Sequence, residues 1–350
     1  MSHLQPALTH WRLPEGAAVS GQVDTGLINT TCELRVGDTV VGYLQRLNTS
    51  IFVPAVHEDI AQITSAVASA GLCTPKIVPC ADGSLWHEDD EGGVWRCLTP
   101  VGSRTMVAFE TLQHAQSAGR LVGRWHSALA DFEVPFQSVR AGAHDTEAHM
   151  AGLQEALRAH RGHRLFADVA PLAEQILAGW SATPRVGELP QRVIHGDLKV
   201  SNLRFSGDDA VAIIDLDTCA YGTIDVELGD ALRSWCNRAS EDDAPHFDVD
   251  VLEAALRGYA DGAGAGGLSG AEWQSVVPGL ERICWELSAR FCKDALEERY
   301  FGWDTRFGTR GAHNLARARG QAGLAAQVAS ARGEADARVR QIRDEIAADS

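Results

Sequence analysis

The chain has 350 residues, 45% apolar and 22% charged, a composition that excludes wholesale disorder and implies one large domain or two lobes meeting at a cleft. A formal charge of −16 would repel a phosphate backbone, so no nucleic-acid partner is expected. No apolar run approaches the roughly 20 residues that span a bilayer, and no basic start precedes an apolar run, so a cytoplasmic protein with no membrane partner is expected.

The first hundred residues read as strand-rich. Two β-branched runs within residues 19–48, with polar turns at Asp24-Thr25-Gly26 and Gly37-Asp38, predict a hairpin. Ile60, Ile63, Val67 and Ala70 recur at helical spacing and predict a helix over 57–70, stopped by Gly71 and Pro75. Short strands are expected over 77–79, 85–86 and 93–98. One helix among five strands makes a small N-lobe, residues 1–98, with a hinge at Thr99-Pro100-Val101-Gly102.

Residues 99–350 turn helical. Leu112, Ala115, Ala118, Val122, Trp125 and Leu129 predict a long amphipathic helix over 109–132. Further helices are expected over 145–157, 171–180, 224–236, 249–259, 270–299 and 312–347, around a strand-rich interlude at 192–217. Gly262 to Gly267 contains a G-x-G-x-x-G string, but it follows a helix and reads as a flexible loop. From residue 330 the chain is charged and Ala-rich, which predicts a solvated terminal helix without chemistry. The eight cysteines lack a Cys-x-x-Cys pair and read as reduced, packed thiols. The expected fold is α+β: a strand-rich N-lobe and a larger helical C-lobe.

The chemistry concentrates in Val193-Ile194-His195-Gly196-Asp197-Leu198-Lys199-Val200-Ser201-Asn202 and in the following hairpin that ends at Asp215-Leu216-Asp217. Phosphoryl transfer needs a carboxylate that holds an acceptor hydroxyl and oxygen ligands that hold magnesium against a triphosphate. Asp197 and Asn202 have the spacing of the kinase catalytic loop, His-Arg-Asp-x-x-x-x-Asn, with Gly196 in place of the Arg. Asp197 is therefore the expected base. Lys199 is placed to reach the transferring phosphate, and Asn202 and Asp215 are the expected metal ligands with Asp217 as an extra one. His195 reads as a buried structural histidine, because no Ser or Cys accompanies it to make it a base. Asp230 reads as the buried acid that braces the catalytic loop through backbone amides, or else as a helix N-cap.

With these motifs the chain resembles the aminoglycoside phosphotransferase and choline kinase superfamily, which is protein-kinase-like. Within it the chain is most similar to N-acetylhexosamine 1-kinase-like proteins, through Gly26-Leu27-Ile28-Asn29-Thr30-Thr31, Tyr43-Leu44-Gln45-Arg46-Leu47-Asn48, Gly229-Asp230-Ala231-Leu232-Arg233 and Gly311-Ala312-His313-Asn314-Leu315. The resemblance implies ATP between the lobes, with adenine on hinge backbone at Arg96, Cys97 and Leu98 and with Gly26, Asn29, Thr30 and Thr31 over the phosphates. It puts Arg46 where kinases carry a phosphate-gripping Lys, with Glu58 as its partner; the alternative is a surface Arg on an edge strand. His144, Asp145, Arg233, Asp294, His313 and Asn314 fall where such enzymes bind the acceptor.

The expected function is ATP- and Mg²⁺-dependent phosphorylation of a sugar or amino-sugar hydroxyl. A rival is an aminoglycoside or cyclitol kinase, whose polycation would need acidic walls such as Glu241-Asp242-Asp243, Asp248 and Asp250. A rival of another class is a catalytically dead binding module on the same fold.

Overall fold

A computed structural model describes residues 6–23, 29–139, 142–239, 243–264 and 267–349. The N-terminal sheet is built from β1 (Ala18–Val23), β2 (Thr30–Val36), β3 (Thr39–Arg46), β4 (Ile77–Val78), β5 (His87–Glu88) and β6 (Val94–Leu98), with α1 (Val56–Ser69) between β3 and β4. Strand order is β1-β2-β3-β6-β4, with β5 also on β6 and every pairing antiparallel. Alternation along the strands gives the sheet two faces. Leu34, Leu44, Trp95 and Cys97 pack outward with Leu8 and Trp11, and the opposite face looks into the cleft. Asp59 of α1 accepts the Gln137 (2.9 Å) and Ser138 (2.8 Å) amides. That bond ties the N-lobe helix to the C-lobe.

The C-lobe contains β7 (Arg104–Thr105), α2 (Leu112–Ala128), α3 (Thr146–Ala159), α4 (Phe166–Ala182), β8 (Arg192–Ile194), β9 (Leu203–Ser206), β10 (Asp209–Ile213) and β11 (Ala220–Gly222). It ends in α5 (Ile224–Trp235), α6 (Val249–Ala263), α7 (Gly270–Glu297) and α8 (Arg310–Asp349). The fold is α+β, a strand-rich N-terminal part joined to a larger helical one. The α2 helix begins at Leu112 and not at 109 because Thr111 caps it, accepting the His114 amide. Gly119 and Gly123 of α2 lie against carbonyls of α6, while Gly258 and Gly262 of α6 lie against carbonyls of α2, so a Cβ at any of them would overlap backbone. Gly262 therefore serves helix packing and not a loop, and α6 ends only at Ala263.

The expected solvated helix from residue 330 is corrected. The α8 helix is continuous for 40 residues and buries Val328, Ala335, Val339 and Ile342, while Arg332 pairs with Glu281 (2.7 Å). Beyond residue 330 its apolar stripe is sparse, Ala335, Val339 and Ile342 between long charged side chains, so it barely registers in hydropathy.

Candidate active site

The catalytic loop leaves β8 and is held from below. Glu227 of α5 is wholly buried and accepts the His195 amide on Oε1 and the Gly196 amide on Oε2, both at 2.9 Å. His126 Nε2 also bonds Oε1 (3.1 Å), while His126 Nδ1 meets the Tyr259 hydroxyl (2.8 Å). Burial would raise the Glu227 pKa, but the His126 bond and charge, then the His195 ring and amide, hold it below the ordinary value. The brace assigned by sequence to Asp230 thus belongs to Glu227, one helical turn earlier on α5. Gly196 has φ 74°, a left-handed conformation that disfavours any side chain, which accounts for the glycine immediately before Asp197.

His195 is fully buried. Its Nδ1 accepts the Asp197 amide (3.2 Å) and its Nε2 donates to the Ile214 carbonyl (2.9 Å), so it joins the catalytic loop to the strand that delivers Asp215. Asp197 accepts Lys199 Nζ (2.8 Å) and Asn202 Nδ2 (3.1 Å) on Oδ2, and Asn202 Nδ2 also donates to the Asp197 carbonyl (2.8 Å). Burial acts to raise the Asp197 pKa, but the Lys199 ammonium outweighs it and the carboxyl is lowered to about 2. Trp235 donates from Nε1 to the Leu198 carbonyl (2.7 Å) and is consumed there.

Asp215 stands just beyond β10 with φ 65°, a conformation uncommon outside glycine. Its carboxylate has no hydrogen-bond or ion-pair partner among the described residues. Burial, then the charges of Asp217 and Asp197, raise its pKa. An unpartnered carboxylate beside the Asn202 amide is a hard oxygen set that suits a divalent cation. Asp217 is different. Arg96 donates Nη1 to its Oδ1 (2.5 Å) and Nη2 to its Oδ2 (2.9 Å), and Asn29 Nδ2 donates to Oδ2 (2.7 Å). With its side chain fully buried, Asp217 clamps the lobes together and is withdrawn from the metal set.

Strand parity corrects the phosphate grip. Register pairs Gln45 with Arg96 and Arg46 with Trp95, so Gln45 and Arg96 face the cleft while Arg46 faces outward. Arg46 lies over the Trp95 ring (5.9 Å) beside Asp89, and among the described residues Glu58 makes no ion pair with it. Gln45 Oε1 instead accepts from Arg96 Nε (2.9 Å). Asn29 and Thr31 line the cleft, whereas Thr30 alternates to the other face. Gly26 lies outside the described residues. Arg96 contributes its side chain, Cys97 is buried in the outer cluster, and β6 is paired on both edges through Leu98. Beyond Leu98 the Thr99 and Ser103 amides are taken by the Lys76 and Phe205 carbonyls (both 2.9 Å), so among the described residues the unpaired hinge amides are those of the cleft-lining Val101 and Gly102.

The cleft holds about 1700 Å³. At its far end His144 bonds Glu286 Oε1 (3.1 Å) and the Gly196 carbonyl (3.2 Å). Burial opposes protonation of His144, but Glu286 and then Asp230 raise its pKa on balance. Arg233 pairs with Asp230 Oδ1 (2.9 Å), leaving the buried Asp230 Oδ2 without a partner on the cleft wall. Asp145 reaches the rim but caps α3 through the Ala148 amide (2.9 Å). Asp294 and Asn314 are not in the wall. Asp294 accepts the Arg299, Tyr300 and Phe301 amides and Asn314 Nδ2, shaping the 299–303 loop that turns Tyr300, Phe301 and Trp303 into the cleft. His313 does line it, accepting the Asp304 amide on Nδ1 (3.0 Å) and stacking on Phe307. Sequence reasoning missed Arg290, Arg306 and Arg317 in this wall. Of the acidic run, Glu241 and Asp242 lie outside the described residues, Asp248 caps α6, and neither it nor Asp250 lines the cleft.

The sequence model described as the phosphotransferase enzyme family matches residues 23–267. The chain belongs to this family. A homoserine kinase of Methylocella silvestris is 29% identical over 167 residues, 41% of this chain and 50% of that enzyme. The chain thus spans about half the length of that curated relative. Among solved structures, a microcompartment-associated aminopropanol kinase superposes with a TM-score of 0.66 at 17% identity, over 94% of this chain and 98% of that one. An amicoumacin kinase in complex with AMP-PNP, Ca²⁺ and Ami superposes with a TM-score of 0.60 at 15% identity, over 93% of each. The matches support the two-lobed kinase-like fold. They show no specific similarity to N-acetylhexosamine 1-kinases.

Proposed function

We propose that this member of the phosphotransferase family is a kinase that transfers the ATP γ-phosphate to a hydroxyl of a small molecule. The observation that carries this reading is the grouping of ionised Asp197, Asn202 and unpartnered Asp215 at one end of the cleft. Asp197 orients the acceptor hydroxyl and takes its proton, and Lys199 lies beside it to meet developing negative charge. Asn202 and Asp215 hold Mg²⁺, which neutralises the triphosphate when bound. The unpaired backbone amides of Val101 and Gly102 receive the base of the nucleotide, with the Leu98 side chain lining the same end of the cleft. Much of the rate then comes from positioning, because a loose phosphoryl transition state asks little covalent help.

For the acceptor, a monosaccharide-sized sugar or amino sugar remains our reading, supported by Trp303, which offers a stacking face on the wall. A small hydroxylated amine or amino acid is the second reading, favoured by the homoserine kinase and aminopropanol kinase similarities. A multi-ring polycation fits poorly against Arg233, Arg290, Arg306 and Arg317. A coupled ADP-release screen over hexoses, N-acetylhexosamines, amino alcohols and aminoglycosides tests the reading. Preference for an aminoglycoside, falling steeply with salt, would replace the acceptor class.

A further inference from the structure

Arg290 lies on α7, one turn beyond Glu286, with its side chain four-fifths buried and on the cleft wall. Its guanidinium reaches Glu286 only at 3.9 Å, beyond hydrogen-bond range. Glu286 is already engaged, by His144 on Oε1 and by the Thr146 hydroxyl on Oε2 (2.5 Å). Among the described residues none of the five N–H groups of Arg290 makes a hydrogen bond. Arg317 adds positive charge nearby, since both guanidiniums lie 5.7 Å from the Phe301 ring centre. The acids of this end are held elsewhere, Asp304 by Arg306 (2.7 Å) and Asp230 Oδ1 by Arg233. The catalytic loop is close, because His144 bridges Glu286 to the Gly196 carbonyl.

A desolvated guanidinium with unspent donors is matched by an oxyanion, which its planar fork can receive bidentately. We propose that the acceptor carries an anionic group, a carboxylate or a phosphate, that docks on Arg290 while its hydroxyl lies at Asp197. This inference rests on the kinase reading and narrows its acceptor to hydroxy acids, sugar acids or sugar phosphates. An amino alcohol without an anionic group, cationic at neutral pH, would leave the Arg290 donors unpaired in a partly buried site, which is costly.

The test compares acceptors that differ only in the anion: L-homoserine against 3-amino-1-propanol, D-glucuronate against D-glucose, and D-glucose 6-phosphate against D-glucose. ADP release gives kcat/KM, and the Mg-ATP-induced rise in Tm reports separately on the nucleotide site. The anionic member of the accepted pair should be favoured roughly tenfold or more, the scale of one charge-assisted hydrogen bond. The pair accepted distinguishes carboxylate from phosphate. Arg290→Gln should erase the preference and Arg290→Lys should keep part of it, both retaining the Mg-ATP shift that shows an intact fold. Members lacking the anion used equally well, a preference that survives Arg290→Gln, or no turnover or binding of any anionic acceptor by protein that binds Mg-ATP would overturn the proposal. Loss of the Mg-ATP shift in the unmodified protein would instead overturn the kinase reading.

Discussion

Arg96 and Asp217 form a two-point ion pair between the N-terminal sheet and the turn after β10, with Nη1 to Oδ1 at 2.5 Å and Nη2 to Oδ2 at 2.9 Å, and Asn29 completes the shell. Removing one member strands the other charge in a site with almost no solvent, so Arg96→Gln should cost about 3–5 kcal/mol. Burial acts to raise the Asp217 pKa, but Arg96 and Asn29 lower it on balance. A depressed carboxylate contributes stability above its unfolded pKa of roughly 3.9 and loses it as pH falls through the folded value. Urea melts should therefore show a gap between the two proteins that is constant above about pH 5 and narrows below about pH 4. A gap unchanged down to acid unfolding would show that the pair is not ionic.

Asp215 should behave in the opposite sense. Its pKa is raised by burial and by Asp217 and Asp197, so its charge burdens the ligand-free fold at neutral pH. Asp215→Asn should raise the Tm of the free protein at pH 7, by roughly 2 °C, and the gain should vanish as pH falls below the unfolded carboxyl value. The same variant should lose the Tm rise given by Mg-ATP, because the metal loses a charged ligand. A drop in free-protein Tm together with an intact Mg-ATP shift would place the cation elsewhere.

These two residues also show what the sequence made legible. The spacing of Asp197, Asn202 and Asp215 survives folding because one strand, one loop and one hairpin place all three, so local order decides their geometry. Arg46 misled because kinase-like alignment fixes a neighbourhood, whereas strand parity decides which of Gln45 and Arg46 enters the cleft. Arg96 aligns with hinge backbone, but its side-chain role depends on a partner 121 residues away. Glu227 and Asp230 sit three apart on one apolar-flanked helix, and no local signal says which reaches the catalytic loop. Asp294 looked polar and site-like, yet it is spent on three loop amides. The Arg290 wall comes from α7, and its meaning appears only when His144 and Glu286 meet it.

Glu227 offers a test of the brace. Each of its oxygens receives a backbone amide and one also receives His126. Glu227→Gln would turn an NH₂ group toward one of those donors, leaving an amide unsatisfied in a wholly buried site. The expected cost is about 2–4 kcal/mol in denaturant unfolding, with a fall in kcat as the loop carrying Asp197 loses its position. Asp230 holds no loop amide and Asp230→Asn loses stability only by stranding the buried Arg233, so hydrogen exchange of the His195 and Gly196 amides should stay as in wild type there and speed up in Glu227→Gln. Faster exchange of those two amides in both variants would return the brace to both acids.

Asp197 is the last and most direct test of the chemistry. Its carboxyl is lowered to about 2, so it is fully ionised across the range in which the enzyme is assayed, and its own titration cannot produce an acid limb between pH 5 and 8. Asp197→Asn keeps the shape but neither takes the acceptor proton nor attracts Lys199 as a charge. Turnover should fall roughly 10²-fold or more, while the Mg-ATP shift in Tm remains within about 1 °C of wild type. The pH profile separates this role from simple positioning. If Asp197 takes the proton, the residual rate of the variant should rise with pH as the acceptor or solvent supplies the base, whereas the wild-type rate stays flat. A loss of only a few-fold, with parallel pH profiles in both proteins, would remove Asp197 from the proton transfer and leave it as an anchor for Lys199 and Asn202.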